Sequence, residues 1–141
     1  MDETVTDERL ASALVSLTHH VLHLLTEVGR THRLSQQQVR LLCAIKASGG
    51  VGMSELGRQT QLEKSNLSNL IDRLEQRGLV ARSRDEGDRR VTYVDLTDEG
   101  HDLAVRSHNE VVARVNKLAG TLPSADQNLL AEAVGRMMAT Q

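Results

Sequence analysis

Ser65, Asn66, Ser68 and Asn69 put short hydrogen-bonding side chains close together, with Lys64 just ahead and Arg73 one helical turn behind Asn69. Asparagine can pair bidentately with adenine, serine serves donor or acceptor edges, and arginine can take a guanine or a phosphate. On a helix face such a set can approach base edges, because no bulky apolar group holds the helix away from the groove. An ordinary solvated face has the same composition, so the surroundings must decide. A second cluster follows in Asp85-Glu86-Gly87-Asp88-Arg89-Arg90, with Arg82 and Arg84 just upstream, and here the available chemistry is cationic contact with phosphate. A third group is made of histidines: His19, His20, His23, His32, His101 and His108. His19 and His23 have the i, i+4 spacing that can hold a metal on one helix face, but no cysteine is near and only Glu27 and Glu110 offer carboxylates, so solvated or pocket-lining histidines are the competing reading. There is no phosphate loop, nucleophile elbow or paired-cysteine motif, which argues against an enzyme.

The chain that must position these groups has 141 residues, 39% of them hydrophobic, with no Phe or Trp and Tyr93 as its only aromatic. Its core must be aliphatic, a composition that favours packed helices. The lone thiol, Cys43, cannot form an internal disulfide; it falls in an apolar stripe and reads as a small buried hydrophobe. The N-terminus is acidic where a secretory signal needs a basic flank, and no apolar run approaches the roughly 18 residues of a membrane span, so a cytoplasmic protein is expected. A net charge of −2 opposes nucleic-acid binding on average. Locally the balance reverses: between residues 58 and 90, Arg58, Lys64, Arg73, Arg77, Arg82, Arg84, Arg89 and Arg90 outnumber Glu63, Asp72, Glu75, Asp85, Glu86 and Asp88.

Periodicity supplies the elements. Leu10, Leu14, Leu17, Val21, Leu24 and Val28 alternate steps of four and three, a heptad seam ending near Gly29 and longer than a small monomer needs, so pairing with a second chain is expected. Ser35 and Gln38 have capping-box spacing, opening a helix with Val39, Leu42, Cys43, Ala44 and Ile45 that Gly49-Gly50 stops. Ser54 is expected to cap a short helix carrying Leu56 and Gly57. A turn over residues 60–63 leads into a second helix from Lys64 to Arg77, with Leu67, Leu70, Ile71 and Leu74 facing inward, and Gly78 ends it. Alternation from Leu79 to Arg84 and from Arg90 to Leu96 predicts a hairpin. Thr97 caps a long helix with Val105, Val112, Val115 and Leu118, and Pro123-Ser124 with Gln127 opens a last one bearing Leu130, Val134 and Met137.

The region from roughly Leu34 to Gly100 resembles the MarR family of winged-helix regulators, and within it SELGRQTQLEKSNLSNLIDRLEQRGLVARSRDEGDRRVTYVDLTDEG carries the helix-turn-helix, the Arg-Gly-Leu-Val exit, the Asp-Arg-Arg wing and the Leu-Thr-x-x-Gly return. The resemblance implies a mainly α fold with a small antiparallel β-wing. It places an N-terminal dimerisation helix at 1–34, a winged helix-turn-helix at 35–97 and C-terminal dimerisation helices at 98–141. It also implies a homodimeric repressor without catalytic activity or cofactor, binding a pseudo-palindromic operator in double-stranded DNA and modulated by a small molecule. Lys64, Ser65, Asn66, Ser68, Asn69 and Arg73 would form the recognition helix contacts, and Arg82, Arg84, Asp88, Arg89 and Arg90 the wing. One of the two adjacent wing arginines would enter the minor groove while Asp88 orients it, and either one fits. The effector would lie between the dimer helices and the winged lobe, with His20, His23, Arg40 and His108 as its polar anchors, since no Phe or Trp is present to stack on it. The alternatives are a zinc-responsive regulator, as some relatives are, and a winged helix used for protein interaction; the latter predicts apolar residues where Ser and Asn stand. The family's peroxide sensors carry their cysteine near the start of the first helix, unlike Cys43.

Overall fold

Ser35 and Gln38 close the expected box: the Ser35 hydroxyl accepts the Gln38 N–H at 3.1 Å and the Gln38 side-chain Oε1 accepts the Ser35 N–H at 2.9 Å. In the computed structural model, which describes residues 3–140, this box opens helix α2 (Gln36–Ser48), preceded by α1 (Glu3–Thr31). Gly49 (φ 64°) and Gly50 (φ 100°) end α2 in left-handed backbone, and Asp95 crowds the space a Gly50 side chain would need. A two-residue strand β1 (Val51–Gly52) follows, then α3 (Met53–Thr60), α4 (Lys64–Gln76), β2 (Val80–Arg84), β3 (Thr92–Leu96), α5 (Asp98–Ala119) and α6 (Ser124–Ala139).

Two helix boundaries differ from the sequence reading, and β2 and β3 begin at Val80 and Thr92 rather than at Leu79 and Arg90. The N-cap of α3 is Gly52, without a side-chain bond, and Ser54 lies inside the helix. Gly52 is held in extended backbone by pairing with Tyr93, so the helix starts where the ladder ends. Helix α4 stops at Gln76, and Arg77 is its C-cap; Gly78 (φ 74°) lets the Leu79 N–H reach back to the Leu74 carbonyl at 2.9 Å, the six-to-one closure of a Schellman turn.

The sheet order is β1-β3-β2, antiparallel throughout, with Val51 and Arg82 flanking Val94 on β3. One aliphatic core unites α2, α3, α4, the sheet and the start of α5, from Leu42, Ile45 and Leu56 through Ile71 and Leu74 to Val94 and Leu103. Leu24 and Val28 of α1 are buried as well.

Thr97 caps α5 as expected, its hydroxyl accepting the Gly100 N–H at 3.0 Å. The face that α5 turns to its own chain is not the valine series read from the sequence. Gly100, Leu103, Ala104 and Ser107 are buried, whereas Val112 and Leu118 are exposed and Val105 and Val115 are half-buried. The first half of α5 packs on the lobe and the second half extends beyond it. Helix α6 buries no residue, and Leu10 and Leu17 of the α1 seam are exposed. Among the described residues no helix is long and apolar enough to cross a membrane.

Candidate nucleic-acid interface

Burial of Leu67, Leu70, Ile71 and Leu74 fixes the roll of α4, and the opposite face follows by geometry. Lys64, Ser65, Asn66, Asn69, Asp72 and Arg73 are exposed and Ser68 is half-buried. The turn between α3 and α4 includes Gln61 in left-handed backbone (φ 57°), which aligns the two helices in the helix-turn-helix arrangement.

Arg82 is not a free surface cation. Its guanidinium pairs with Asp72 and, at 3.3 Å, with Glu75, and donates to the Ser68 carbonyl at 3.3 Å, leaving 24% of the side chain exposed. The base of the wing is thereby bonded to the outer face of α4, and a carboxylate that would repel phosphate is offset by a cation beside it. Arg82, expected from the sequence as a phosphate contact, is braced by two acids of α4 and also lines the groove between the wing and α3–α4. Arg84, two residues on, is exposed.

The wing tip folds on its own aspartates. Asp85 accepts the Asp88 N–H at 3.0 Å, and the Val91 N–H returns to the Asp88 carbonyl at 3.0 Å. Asp88 then takes both the Arg90 backbone N–H at 3.0 Å and the Arg90 Nε–H at 3.1 Å. These bonds hold the Asp88 carboxyl below the usual carboxylate range. The Arg90 side chain is oriented yet 91% exposed. Arg89 is exposed and makes no side-chain hydrogen bond among the described residues.

An open groove of about 920 Å³ runs between the wing and the α3–α4 pair, lined in part by Ser54, Lys64, Ser68, Arg90 and Tyr93. Tyr93, the only aromatic of the chain, is exposed on this face. Strand alternation carried the signal, since Val94 beside it points into the core.

The four residues assigned to an effector pocket are not brought together. His20 and His108 are exposed; His23 pairs with Glu27 at 3.0 Å, and Glu27 also accepts Arg114 at 2.7 Å. Arg40 lines a crevice with Gln37, Leu41, Thr60 and Leu62, and no hydrogen bond or ion pair joins any two of the four among the described residues. No group of three potential metal ligands occurs among the described residues either. Cys43 is half-buried against the core, and burial pushes its thiol up, away from the reactive thiolate.

A helix-turn-helix followed by a hairpin, with a third short strand closing the sheet, is a winged helix. Residues 34–92 match the model of the MarR family. The chain is 25% identical over 104 residues to YdgJ, an uncharacterized HTH-type transcriptional regulator of Bacillus subtilis, covering 74% of this chain and 63% of YdgJ. It is 32% identical over 98 residues to the repressor NicR of Pseudomonas putida, covering 62% of each. The chain thus spans under two thirds of the length of these relatives. In fold it matches a cysteine-to-serine mutant of MarR from Escherichia coli with a TM-score of 0.83 at 22% identity, covering 92% of this chain and 96% of that one. The same mutant complexed with operator DNA matches with a TM-score of 0.76 at 21% identity, covering 97% and 99%.

Proposed function

We propose that this protein is a homodimeric transcriptional repressor that binds a pseudo-palindromic operator through α4 and the wing and answers to a small-molecule effector. The observation that carries the reading is the pairing of a polar, outward α4 face with an arginine held out from the wing by Asp88, on either side of one groove. An interaction module would need apolar residues on that face, and Ser65, Asn66 and Asn69 occupy it. Residues 1–34 and 98–141 supply the dimer, and residues 35–97 the DNA contact. The dimer is supported by α6, which buries nothing in its own chain while exposing Leu129 (63%) and Met138 (64%). Two recognition helices related by a two-fold axis call for half-sites about 34 Å apart, one turn of DNA. The effector rests on the family resemblance alone, and within one protomer His20, His23, Arg40 and His108 do not build its site.

Reading and gripping separate by mutation. Asn69→Ala should relax preference at one base position by about 1 to 3 kcal/mol in a competition assay with single-base operator variants. Lys64→Ala should weaken all sequences alike and reduce the slope of log affinity against log salt by about one unit. If Lys64→Ala changes base preference instead, its assignment to phosphate is wrong.

Arg90 is assigned to the minor groove on its bond to Asp88, which fixes the side chain before DNA arrives. Arg90→Ala should therefore lose most affinity where the flanks are A-T rich, because a narrow minor groove concentrates negative potential. An equal loss on G-C flanks would give that role to Arg89.

A further inference from the structure

The carbonyls at the C-terminal end of α1 have an unusual partner. The chain leaves α1 by a tight turn in which the His32 and Leu34 N–H groups both return to the Gly29 carbonyl, at 2.9 and 2.8 Å, and Arg33 adopts a left-handed backbone (φ 59°) without being glycine. The two residues of that turn point their carbonyls at Arg77: Nη1 donates to the Arg33 oxygen at 2.7 Å and Nη2 to the His32 oxygen at 3.0 Å. Arg77 is the C-cap of α4, its own N–H bonded to the Arg73 carbonyl at 3.2 Å, so its backbone moves with the recognition helix. A cation at the end of a 29-residue helix is also favoured by the negative end of the helix dipole.

The far side of this contact is fixed. At Gly29 a Cβ would lie 2.5 Å from the Leu34 carbonyl oxygen, so the turn is packed against its own backbone. His32, whose carbonyl receives Arg77, is tied by its ring to Glu110 of α5 at 3.1 Å. Helix α4 packs mainly on α3 and β2 rather than on α1. The Arg77 fork is therefore a direct polar tie between the recognition helix and the α1–α5 frame.

We propose that Arg77 is the positioning residue that sets the tilt of α4 against that frame, and with it the half-site spacing the protein accepts; this rests on the DNA-binding reading above. The lever is long enough to matter. Thirteen residues of α4 span roughly 20 Å at 1.5 Å per residue. A tilt of about 10° at the Arg77 end moves the reading end by roughly 3 Å, close to the rise of one base pair. Arginine suits the task because its planar fork meets two carbonyls at once, whereas lysine offers a single point charge on a flexible stem.

The test uses duplexes enriched from a random-sequence pool by the wild-type protein, then respaced by one base pair in each direction between half-sites. Wild type is expected to lose at least tenfold in affinity on respacing. Arg77→Ala should bind the best duplex about tenfold more weakly, with the spacing penalty reduced to about threefold or less, while sedimentation shows an unchanged dimer. Arg77→Lys, which keeps the charge and one hydrogen bond, should fall between them, and it carries the test if the alanine variant does not fold. A variant that weakens every spacing by one common factor, or none, would overturn the proposal. If wild type enriches no paired half-sites, the failure lies in the DNA-binding reading, and the proposal falls with it.

Discussion

Leu17→Asp is expected to yield a folded monomer that has lost most of its affinity for a two-half-site operator. Leu17 is 39% exposed in the isolated chain and lies on the same face as Leu10 and Val21, the face that the proposed dimer would cover. Each such side chain buried at the interface is worth roughly 1.5 to 3 kcal/mol, and an aspartate there both forfeits that and buries a carboxylate in each protomer. The winged lobe is spared, because its core begins with Leu24 and Val28, further along α1. Splitting the dimer removes the linkage of two half-site contacts, worth on the order of 10²- to 10⁴-fold in affinity. Sedimentation at micromolar concentration reads the first effect and operator titration the second. A fully dimeric Leu17→Asp protein would show that the seam lies elsewhere.

Gly100→Ala should destabilise the lobe by about 3 kcal/mol or more, a large share of the stability of a small domain. The cause is contact with backbone: a Cβ at Gly100 would stand 1.9 Å from the Leu79 carbonyl oxygen and 2.8 Å from its carbon. That carbonyl cannot yield freely, since it accepts the Thr97 N–H at 3.1 Å and lies where α4, β2 and α5 converge. Urea unfolding at fixed protomer concentration measures the loss against wild type. Unchanged stability would mean that the α5 start is not packed as described.

Much of this site is legible in the sequence. The Ser35–Gln38 box, the Gly49-Gly50 stop and the Leu67, Leu70, Ile71 and Leu74 stripe are local patterns with local causes, and each forms as read. What escapes depends on partners distant in sequence. Strand β1 is two residues long and half glycine, so it has no alternation to display; only Val94 and Tyr93 make it a strand. Arg82 reads as a free cation until Asp72 and Glu75, ten and seven residues earlier, are seen beside it. Arg77 looks like one more surface charge, since its acceptors are backbone carbonyls 44 and 45 residues away. The helix α5 stripe misleads for a different reason. Its apolar residues are spaced for burial, but Val112 and Leu118, beyond Ser107, are left exposed by their own chain, and periodicity cannot distinguish a face meant for the core from one meant for a partner.

The claim that α4 and the wing form a DNA-binding surface is tested most directly by titrating the protein into a random-sequence duplex at 50 and 200 mM salt, beside the Lys64→Ala/Arg90→Ala double variant. Wild type should bind at low salt and weaken on the order of 10³-fold at high salt, as counterions released by roughly six phosphate contacts require, and the double variant should show a shallower dependence. No binding at low salt, or binding with the same salt slope in both proteins, would contradict it.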